Sequence, residues 1–405
     1  MRFRFLVSFG IVLLLLVGFP MANCAEAPGI AWSKTYGGKH SERAYAMVET
    51  SDGGFAIAGY QFDDIWLVKT DAYGNLLWNR TYGSGCAYAL VETYDGGFAL
   101  AGYRGQGFSL VRTDIYGNML WTTTYGLGCA YSLVKTSDDG YALTGSSFKL
   151  VKTDAYGNLL WNRTYGSGCA YALVETYDGG FALAGCTESF NAGALDFKLV
   201  RTDAYGNILW NHTYGGPGHD VAYALVEASD GGYVLAGETH PGLTFWDAWN
   251  ADFWLVKTDK HGNMLWNRTY NGGGFNFPFA SYEIAYSLIK TSDGGYALTG
   301  TGFWLVKTDV YGNVEWNKTY GGEEARALVA TSDGGFALAG SIYPPTTQPD
   351  FLLIKTEPAI IPKPPSEPFP TTAFMAATAI TTLTAATATA ILLHYRRTSQ
   401  RQTNN

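Results

Sequence analysis

The sequence predicts an all-β protein: a seven-bladed β-propeller with four-stranded blades, its ring closed by the N-terminal strand, followed by one C-terminal transmembrane helix. Self-similar segments fill residues 32–356 and recur in steps of about 40–56 residues, the period of propeller blades. The chain has 50 Gly, and 15% of its residues are aromatic, whereas only 15% are charged. Such a composition is typical of short strands joined by tight turns.

Residues 1–27 read as a signal peptide. Arg2 and Arg4 precede an uncharged apolar run that ends near Phe19, and small residues follow it. Cys24 leaves a lipoprotein signal as an alternative. The segment therefore predicts export of the following domain.

Each repeat predicts four strands, as its second copy illustrates. The first two strands flank Asp95-Gly96, because Asp-Gly suits a two-residue hairpin turn. The third and fourth strands flank the turn that begins at Asp114 and contains Gly117. We expect the recurring turn aspartates, such as Asp71 and Asp95, to cap their turns; calcium binding is the alternative.

Alternation within the strands predicts sheets that are buried on both faces. Phe98 and Leu100 point one way, whereas Ala99 and Ala101 point the other. In the preceding strand, Tyr88 and Leu90 are expected to share the bulky face. Bulky and small faces can pack against one another around a ring. The segment Trp32–Tyr36 supplies the otherwise missing outer strand of the last blade, so blades occupy residues 28–356.

The run Leu67-Val-Lys-Thr-Asp-Ala-Tyr-Gly-Asn-Leu-Leu-Trp78 resembles the repeat of quinoprotein-type (PQQ-like) β-propellers, which dock an outer-strand Trp between blades. The whole chain more closely resembles archaeal and bacterial cell-surface proteins with tandem blades. This resemblance implies propeller architecture. The chain lacks the adjacent Cys pair of quinoprotein enzymes, so we predict no cofactor and no metal site.

The C-terminal region predicts a membrane anchor. Residues 357–371 form a Pro-rich linker, 372–395 an uncharged transmembrane helix and 396–405 a basic tail. Arg396, Arg397 and Arg401 place that tail in the cytoplasm and the propeller outside the cell. The formal net charge of −8 argues against nucleic acid as a partner.

A ligand site is expected on the variable-loop face, where connections between blades differ, because function concentrates on loops above a repeating scaffold. Aromatic rings beside carboxylates suit sugars, although these side chains could instead form a small core beneath the loops. The candidate ligand-binding residues are Phe190, Phe245, Trp246, Asp247, Trp249, Asp252, Phe275, Phe277, Phe279 and Tyr282.

Two kinds of covalent modification are also predicted. Asn-x-Thr sequons follow the outer-strand Trp in five repeats, which predicts either glycosylation or simple tolerance of an exposed edge. The asparagines are Asn79, Asn162, Asn211, Asn267 and Asn317. Cys169 and Cys186 are expected to lie diagonally across one hairpin, where a disulfide is feasible but geometrically marginal.

Taken together, these features predict a membrane-anchored extracellular module for binding, adhesion or surface structure. Its expected ligand is a glycan or a cell-envelope protein. The identical copies Asp71–Gly102 and Asp154–Gly185 favour a repetitive surface over one asymmetric active site. An enzyme, either a quinoprotein-like dehydrogenase or a glycan-cleaving propeller, is the alternative.

Overall fold

The computed structural model describes residues 26–359, except 189–194, 243–249, 272–275, 278–279 and 344–347. The predicted signal peptide up to residue 25, most of the linker, the transmembrane helix and the tail lie outside the described residues. Within them, no helix is long and apolar enough to cross a membrane. The described part consists of strands and turns alone.

The described residues form 29 strands. Their bounds are β1 (Ile30–Tyr36), β2 (Glu42–Glu49), β3 (Phe55–Gln61), β4 (Asp64–Thr70), β5 (Leu76–Glu92), β6 (Phe98–Arg104), β7 (Gly107–Thr113), β8 (Met119–Leu127), β9 (Ala130–Lys135), β10 (Tyr141–Gly145), β11 (Lys149–Thr153), β12 (Leu159–Thr164), β13 (Cys169–Glu175), β14 (Phe181–Glu188), β15 (Leu195–Thr202), β16 (Ile208–Tyr214), β17 (Asp220–Glu227), β18 (Tyr233–Thr239), β19 (Asn250–Thr258), β20 (Met264–Tyr270), β21 (Asn276–Phe277), β22 (Ala280–Tyr282), β23 (Ala285–Lys290), β24 (Tyr296–Gly300), β25 (Trp304–Thr308), β26 (Val314–Thr319), β27 (Glu324–Ala330), β28 (Phe336–Ile342) and β29 (Asp350–Thr356).

The prediction of seven separate four-stranded blades is wrong. Within the described residues, five sheets are each built on one antiparallel run of four strands: β9–β12, β13–β16, β17–β20, β23–β26, and β27–β29 with β1. The strands β2–β8 instead form one continuous seven-stranded sheet. The cause is β5, which pairs with β4 in its first half and with β6 in its second. Only the short Gly83-Ser84-Gly85 segment joins these halves, so no loop separates them.

Hydrophobic cores form where sheet faces pack together. Phe98 and Leu100 belong to one core, whereas Ala99 and Ala101 belong to the next, which confirms the predicted alternation in this strand. The seven-stranded sheet folds on itself, so that Leu67 and Val111 from its two halves share a core. Complete burial of such side chains stabilises the fold by roughly 1.5–3 kcal/mol each.

A recurring contact holds each outer strand against the next turn. The Tyr36 hydroxyl donates to the Gly74 carbonyl at 2.7 Å, and Tyr82 donates likewise to Gly117 at 2.8 Å. Gly74 has φ of +74°, and a Cβ there would lie 2.6 Å from the Trp32 ring. Only Gly meets both demands. The predicted docking of the outer-strand Trp between blades is confirmed.

Pairing of the N-terminal strand with the last strand is also confirmed. β1 is antiparallel to β29, with Trp32 opposite Lys355 and Tyr36 opposite Phe351. Phe351 and Trp66 then share a core, which packs the last sheet against the first. This contact joins the two ends of the described chain.

Candidate functional site

Every innermost strand contains a β-bulge that breaks the expected alternation. In β5 the register shifts between Ala87 and Ala89, and the same shift recurs in β2, β9, β13, β17, β23 and β27. Ala87 and Leu90 consequently share one core, whereas Tyr88 packs against Tyr45 and Tyr131. The prediction that Tyr88 and Leu90 share a face is therefore wrong, because the extra residue of a bulge re-aims its side chain.

The bulge residues form a closed circuit that we name the tyrosine collar: Tyr45, Tyr88, Tyr131, Tyr171, Tyr223, Tyr286 and Arg326. Successive ring centroids lie 5.0–5.4 Å apart. Arg326 closes the circuit, with its guanidinium 4.0 Å from the Tyr286 ring and 5.1 Å from that of Tyr45. Burial raises the pKa of these phenols, that of Tyr131 to about 12, so the collar tyrosines are neutral at neutral pH.

Arg326 makes the collar asymmetric and gives it a charged sector. Its Nη2 lies 2.7 Å from Glu324 Oε2, and Glu324 Oε1 lies 3.5 Å from Arg43 Nη1. Burial opposes the charge of Arg326, but the hydrogen bond to Glu324 and the electrostatic attraction of Glu324 and the neighbouring tyrosines together outweigh burial and raise the pKa of the guanidinium. Arg43 also donates to the Tyr343 hydroxyl at 2.6 Å. Two guanidinium groups and one carboxylate therefore lie together beside the collar.

A cavity of about 670 Å³ opens at this charged sector. Its lining residues are Tyr282, Tyr286, Thr301, Gly322, Glu323, Glu324, Ile342 and Tyr343. We name it the collar cavity. It belongs to the sheets β23–β26 and β27–β29, which contribute Tyr286 and Glu324.

Several polar atoms at the collar cavity are buried without a hydrogen-bond partner among the described residues. They are Glu323 Oε2, Glu324 Oε1, Arg326 Nε and the nearby Ser341 Oγ. Burial raises the pKa of Glu323 although Arg43 opposes that shift. Unsatisfied polar atoms are costly in a folded protein. Four such atoms lie close together at the collar cavity.

Among the predicted ligand-binding residues, the structure places Tyr282 at the collar cavity with its side chain 43% exposed. Asp252 is half-buried beside Glu283 and does not line the cavity. Phe277 lies in β21, and its side chain is not described. The remaining candidates lie outside the described residues and stay predictions: Phe190, Phe245, Trp246, Asp247, Trp249, Phe275 and Phe279.

Sequence reasoning missed Arg326, Glu323, Glu324 and Tyr343. One signal could have revealed the first of these: Arg326 stands where the other six repeats have Tyr after the first Ala of the inner strand. The two glutamates precede it, where other repeats carry residues such as Gly85 and Cys86. A charged substitution at a repeated aromatic position marks a departure from the scaffold.

The cysteines differ from the predicted geometry. Cys169 lies directly opposite Cys186 in β13 and β14, rather than diagonal to it, because the bulge shifts the register. Both are free thiols in the structure, so the predicted disulfide is not formed there. Burial raises the pKa of Cys186 to about 11, which suppresses the reactive thiolate.

The five sequon asparagines all lie exposed on outer strands. In three of them the Oδ1 atom accepts a hydrogen bond from a Trp indole at 3.2–3.4 Å: Asn79, Asn267 and Asn317. In the described part of the chain, no group of three or more His, Cys, Asp or Glu side chains is arranged to hold a metal ion. The turn aspartates instead cap their turns, as predicted: Asp71 Oδ1 accepts from the backbone N–H groups of Tyr73 and Asn75.

Comparison with solved structures identifies the architecture. The chain is similar to the WD40 β-propeller domain of Doa1, with a TM-score of 0.57 and 15% identity over 81% of this chain and 96% of that one. The chain is a β-propeller repeat protein. A second similar structure is BamB from Moraxella catarrhalis, with a TM-score of 0.47 and 12% identity over 80% of this chain and 88% of that one. At such identities the likeness concerns the fold alone, so the PQQ-like class and a cell-surface origin stay predictions.

No protein-family model matches the chain, and no curated protein matches it.

Proposed function

We propose that this propeller is a carbohydrate-binding module that holds a neutral sugar unit of a glycan in the collar cavity. One observation carries the proposal: buried, unpartnered polar atoms of Glu323, Arg326 and Ser341 lie beside a cavity walled by tyrosines. Sugar hydroxyls both donate and accept hydrogen bonds, so they can satisfy carboxylate, guanidinium and hydroxyl groups together. The apolar C–H face of a sugar packs on an aromatic ring.

The mixture of charges favours a neutral ligand. An anionic ligand would meet the lining residues Glu323 and Glu324, and a cationic ligand would lie near Arg43 and Arg326, which form ion pairs with Glu324. The volume of about 670 Å³ falls within the usual range of small-ligand sites, roughly 300–1,000 Å³. A short stretch of glycan therefore fits the cavity both in size and in hydrogen-bonding character.

The test is binding of the purified full chain to a glycan array, followed by titration with a retained oligosaccharide. We expect Tyr343→Ala to weaken binding about tenfold, because it removes a wall of the cavity; tenfold corresponds to about 1.4 kcal/mol. Glu323→Gln should weaken it further by removing a charged acceptor. Tyr177→Ala is the matched control, since Tyr177 is fully exposed and does not line the cavity.

Three outcomes would contradict the proposal. Equal affinities of Tyr343→Ala, Tyr177→Ala and the unchanged chain would remove the cavity as the site, provided that all three melt alike. A silent array would favour a protein partner of the cell envelope. Release of a shortened or oxidised sugar would favour the enzyme alternative.

We also propose that the propeller works outside the cytoplasm. The signal-like residues 1–27 support this location, and so does the exposure of Asn79, Asn162, Asn211, Asn267 and Asn317. These asparagines are proposed glycosylation sites, because the outer strands present them to modifying enzymes. The mass of the chain purified from its own source should exceed the mass of its sequence without residues 1–27; five unmodified asparagines would refute the assignment.

A further inference from the structure

Carboxylates face one another across three junctions between successive sheets. We name the three the acid pairs: Glu42 with Asp350, Asp220 with Asp196, and Glu283 with Asp252. In each pair, one acid begins an innermost strand or lies two residues before it, and the other lies at or near the start of the third strand of the preceding sheet. The pairs lie on the variable-loop face, outside the lining of the collar cavity.

The backbone sets the acids side by side. The Glu42 N–H donates to the Pro349 carbonyl at 2.7 Å, and the Glu283 N–H donates to the Ala251 carbonyl at 2.9 Å. Pro349 and Ala251 each directly precede the partner aspartate of their pair. One backbone hydrogen bond thus aligns the acids in the same way at two junctions.

At the third junction, Gly215 reveals the same closeness. A Cβ on Gly215 would collide with Asp196 Oδ1 and lie 2.7 Å from Asp220 Oδ2. Oxygen atoms of both carboxylates therefore lie close to Gly215 and to each other.

One acid of each pair is deeply buried, whereas its partner aspartate is partly exposed. Glu42 and Asp220 are fully buried, and Glu283 is 1% exposed. Three of their carboxylate oxygens have no hydrogen-bond partner in the described residues: Glu42 Oε2, Asp350 Oδ1 and Asp220 Oδ1. Ionised carboxylate oxygens only accept hydrogen bonds, so two that face each other need a positive charge between them.

Few positively charged side chains face Glu42 and Asp220. Glu42 faces Asp350, His40 and the Gln61 amide, whose Nε2 donates to Glu42 Oε1 at 3.1 Å. Asp220 faces Asp196, His240, Thr239 and the Gly216 N–H at 2.9 Å. Asp252 faces Glu283 and His240. In the described part of the chain, neither Glu42 nor Asp220 has a lysine or arginine within ion-pair distance.

We propose that the Glu42–Asp350 and Asp220–Asp196 pairs each share one proton between their two carboxyl groups and thereby act as pH-sensitive latches between neighbouring sheets. A carboxyl group donates to the opposed carboxylate, which satisfies the orphaned oxygens and leaves one negative charge per pair. The two groups titrate as a unit. Burial, together with the neighbouring carboxylate, raises the pKa of Glu42 and Asp220 accordingly.

Another junction shows that the acids are dispensable for assembly. Between β7 and β9, the Gly128 N–H donates to the Gln106 carbonyl at 3.2 Å, the same kind of backbone bond. There the two acid positions hold Gly107 and Gly128. The scaffold forms this junction without carboxylates, so the acid pairs add a response to pH.

The sign of that response follows from the raised pKa values. Stability from a shared proton is fully present below the ordinary carboxyl pKa of about 4, and it is lost as pH rises through the raised value in the folded state. The junctions should therefore be tightest in acid and loosen toward neutral and alkaline pH.

The test is thermal unfolding of the full chain between pH 5 and pH 8. The unchanged protein should lose melting temperature as pH rises. The double variant Glu42→Gln with Asp220→Asn mimics the protonated state, so it should melt higher at pH 8, by at least about 3 °C, and show a flatter profile. Asp64→Asn is the control, because Asp64 holds the same strand position opposite Gly85 and has no acid partner.

Two results would overturn the proposal. The first is a double variant whose profile runs parallel to that of the unchanged protein, or which fails to fold at pH 8. The second is a rise in melting temperature at pH 8 when millimolar calcium is added to the unchanged protein. That rise would show that a divalent cation, rather than a proton, lies between the carboxylates.

Discussion

The two faces of the propeller differ in the partners that they offer to carboxylate side chains. On the regular-turn face, which carries the Asp-Gly hairpins and the Gly-Asn turns, each turn aspartate has donors around it. On the variable-loop face, Glu42 and Asp220 face other acids, and Glu323 keeps an oxygen without a partner. The regular-turn face thus repeats one stabilising ion pair, whereas the variable-loop face carries carboxylate oxygens without hydrogen-bond partners in the described residues.

On the regular-turn face, the same ion pair recurs in every repeat. A buried cation of the third strand contacts the aspartate of the first hairpin turn, as Lys257 Nζ contacts Asp230 Oδ2 at 2.7 Å. The others are Lys69–Asp52, Arg112–Asp95, Lys152–Asp138, Arg201–Asp178, Lys307–Asp293 and Lys355–Asp333. The cations are buried, whereas the aspartates are partly exposed to solvent.

The largest expected effect comes from breaking one of these pairs from the exposed side. Asp230→Ala should lower the free energy of unfolding by about 2–3 kcal/mol, because it leaves the buried Lys257 ammonium without its carboxylate. Lys257→Met should cost only about 1 kcal/mol, since the remaining Asp230 side chain is 57% exposed and can be hydrated. Denaturant unfolding of both variants measures how much free energy of unfolding each one loses. Equal losses would show that the different burial of Lys257 and Asp230 does not determine the cost of removing them.

A smaller effect should separate the faces by their response to acid. Burial alone would raise the pKa of Asp52, but hydrogen bonds from Lys69 and Thr50 outweigh it and lower the pKa to about 2. A lowered pKa gives stability that is present above about pH 4 and is lost as pH falls toward 2. Melting of the Glu42→Gln and Asp220→Asn double variant between pH 5 and pH 2 should therefore show this acid loss without the response of those two carboxyl groups. Adding Asp52→Asn should reduce the fall in melting temperature between pH 5 and pH 2. If the melting temperature falls as steeply as before, groups other than Asp52 cause the loss of stability in acid.

The sequence predicts well what every repeat shares. Strands, hairpin turns, turn caps and the Trp contact follow from residues that recur at fixed spacing, such as Asp71, Gly74 and Trp78. The closing strand could also be predicted, because Trp32–Tyr36 lacks a blade of its own and β29 lacks an outer neighbour.

The sequence fails where a local detail decides the geometry. The prediction of strict alternation did not include a bulge. The predicted face for Tyr88 and the predicted partner of Cys186 across the hairpin were therefore wrong. The continuity of β5 depends on a connection too short to form a loop, which a fixed blade pattern does not anticipate. The collar cavity arises from Arg326 and its neighbours, where one repeat departs from the others. Such departures appear in the sequence as single letters, and their contacts become visible only when the ring is assembled.

The pairing of Ile30 with Thr356 has a consequence for how the protein is made. A ribosome releases β1 long before β29 exists, so the early strand must stay unpaired while almost the whole propeller is synthesised. Contacts so distant in sequence form slowly, because a very long loop must close before they stabilise anything. The last sheet is thus the final part of the propeller to form. Until it is complete, the nascent chain exposes an unpaired sheet edge that can pair with other chains.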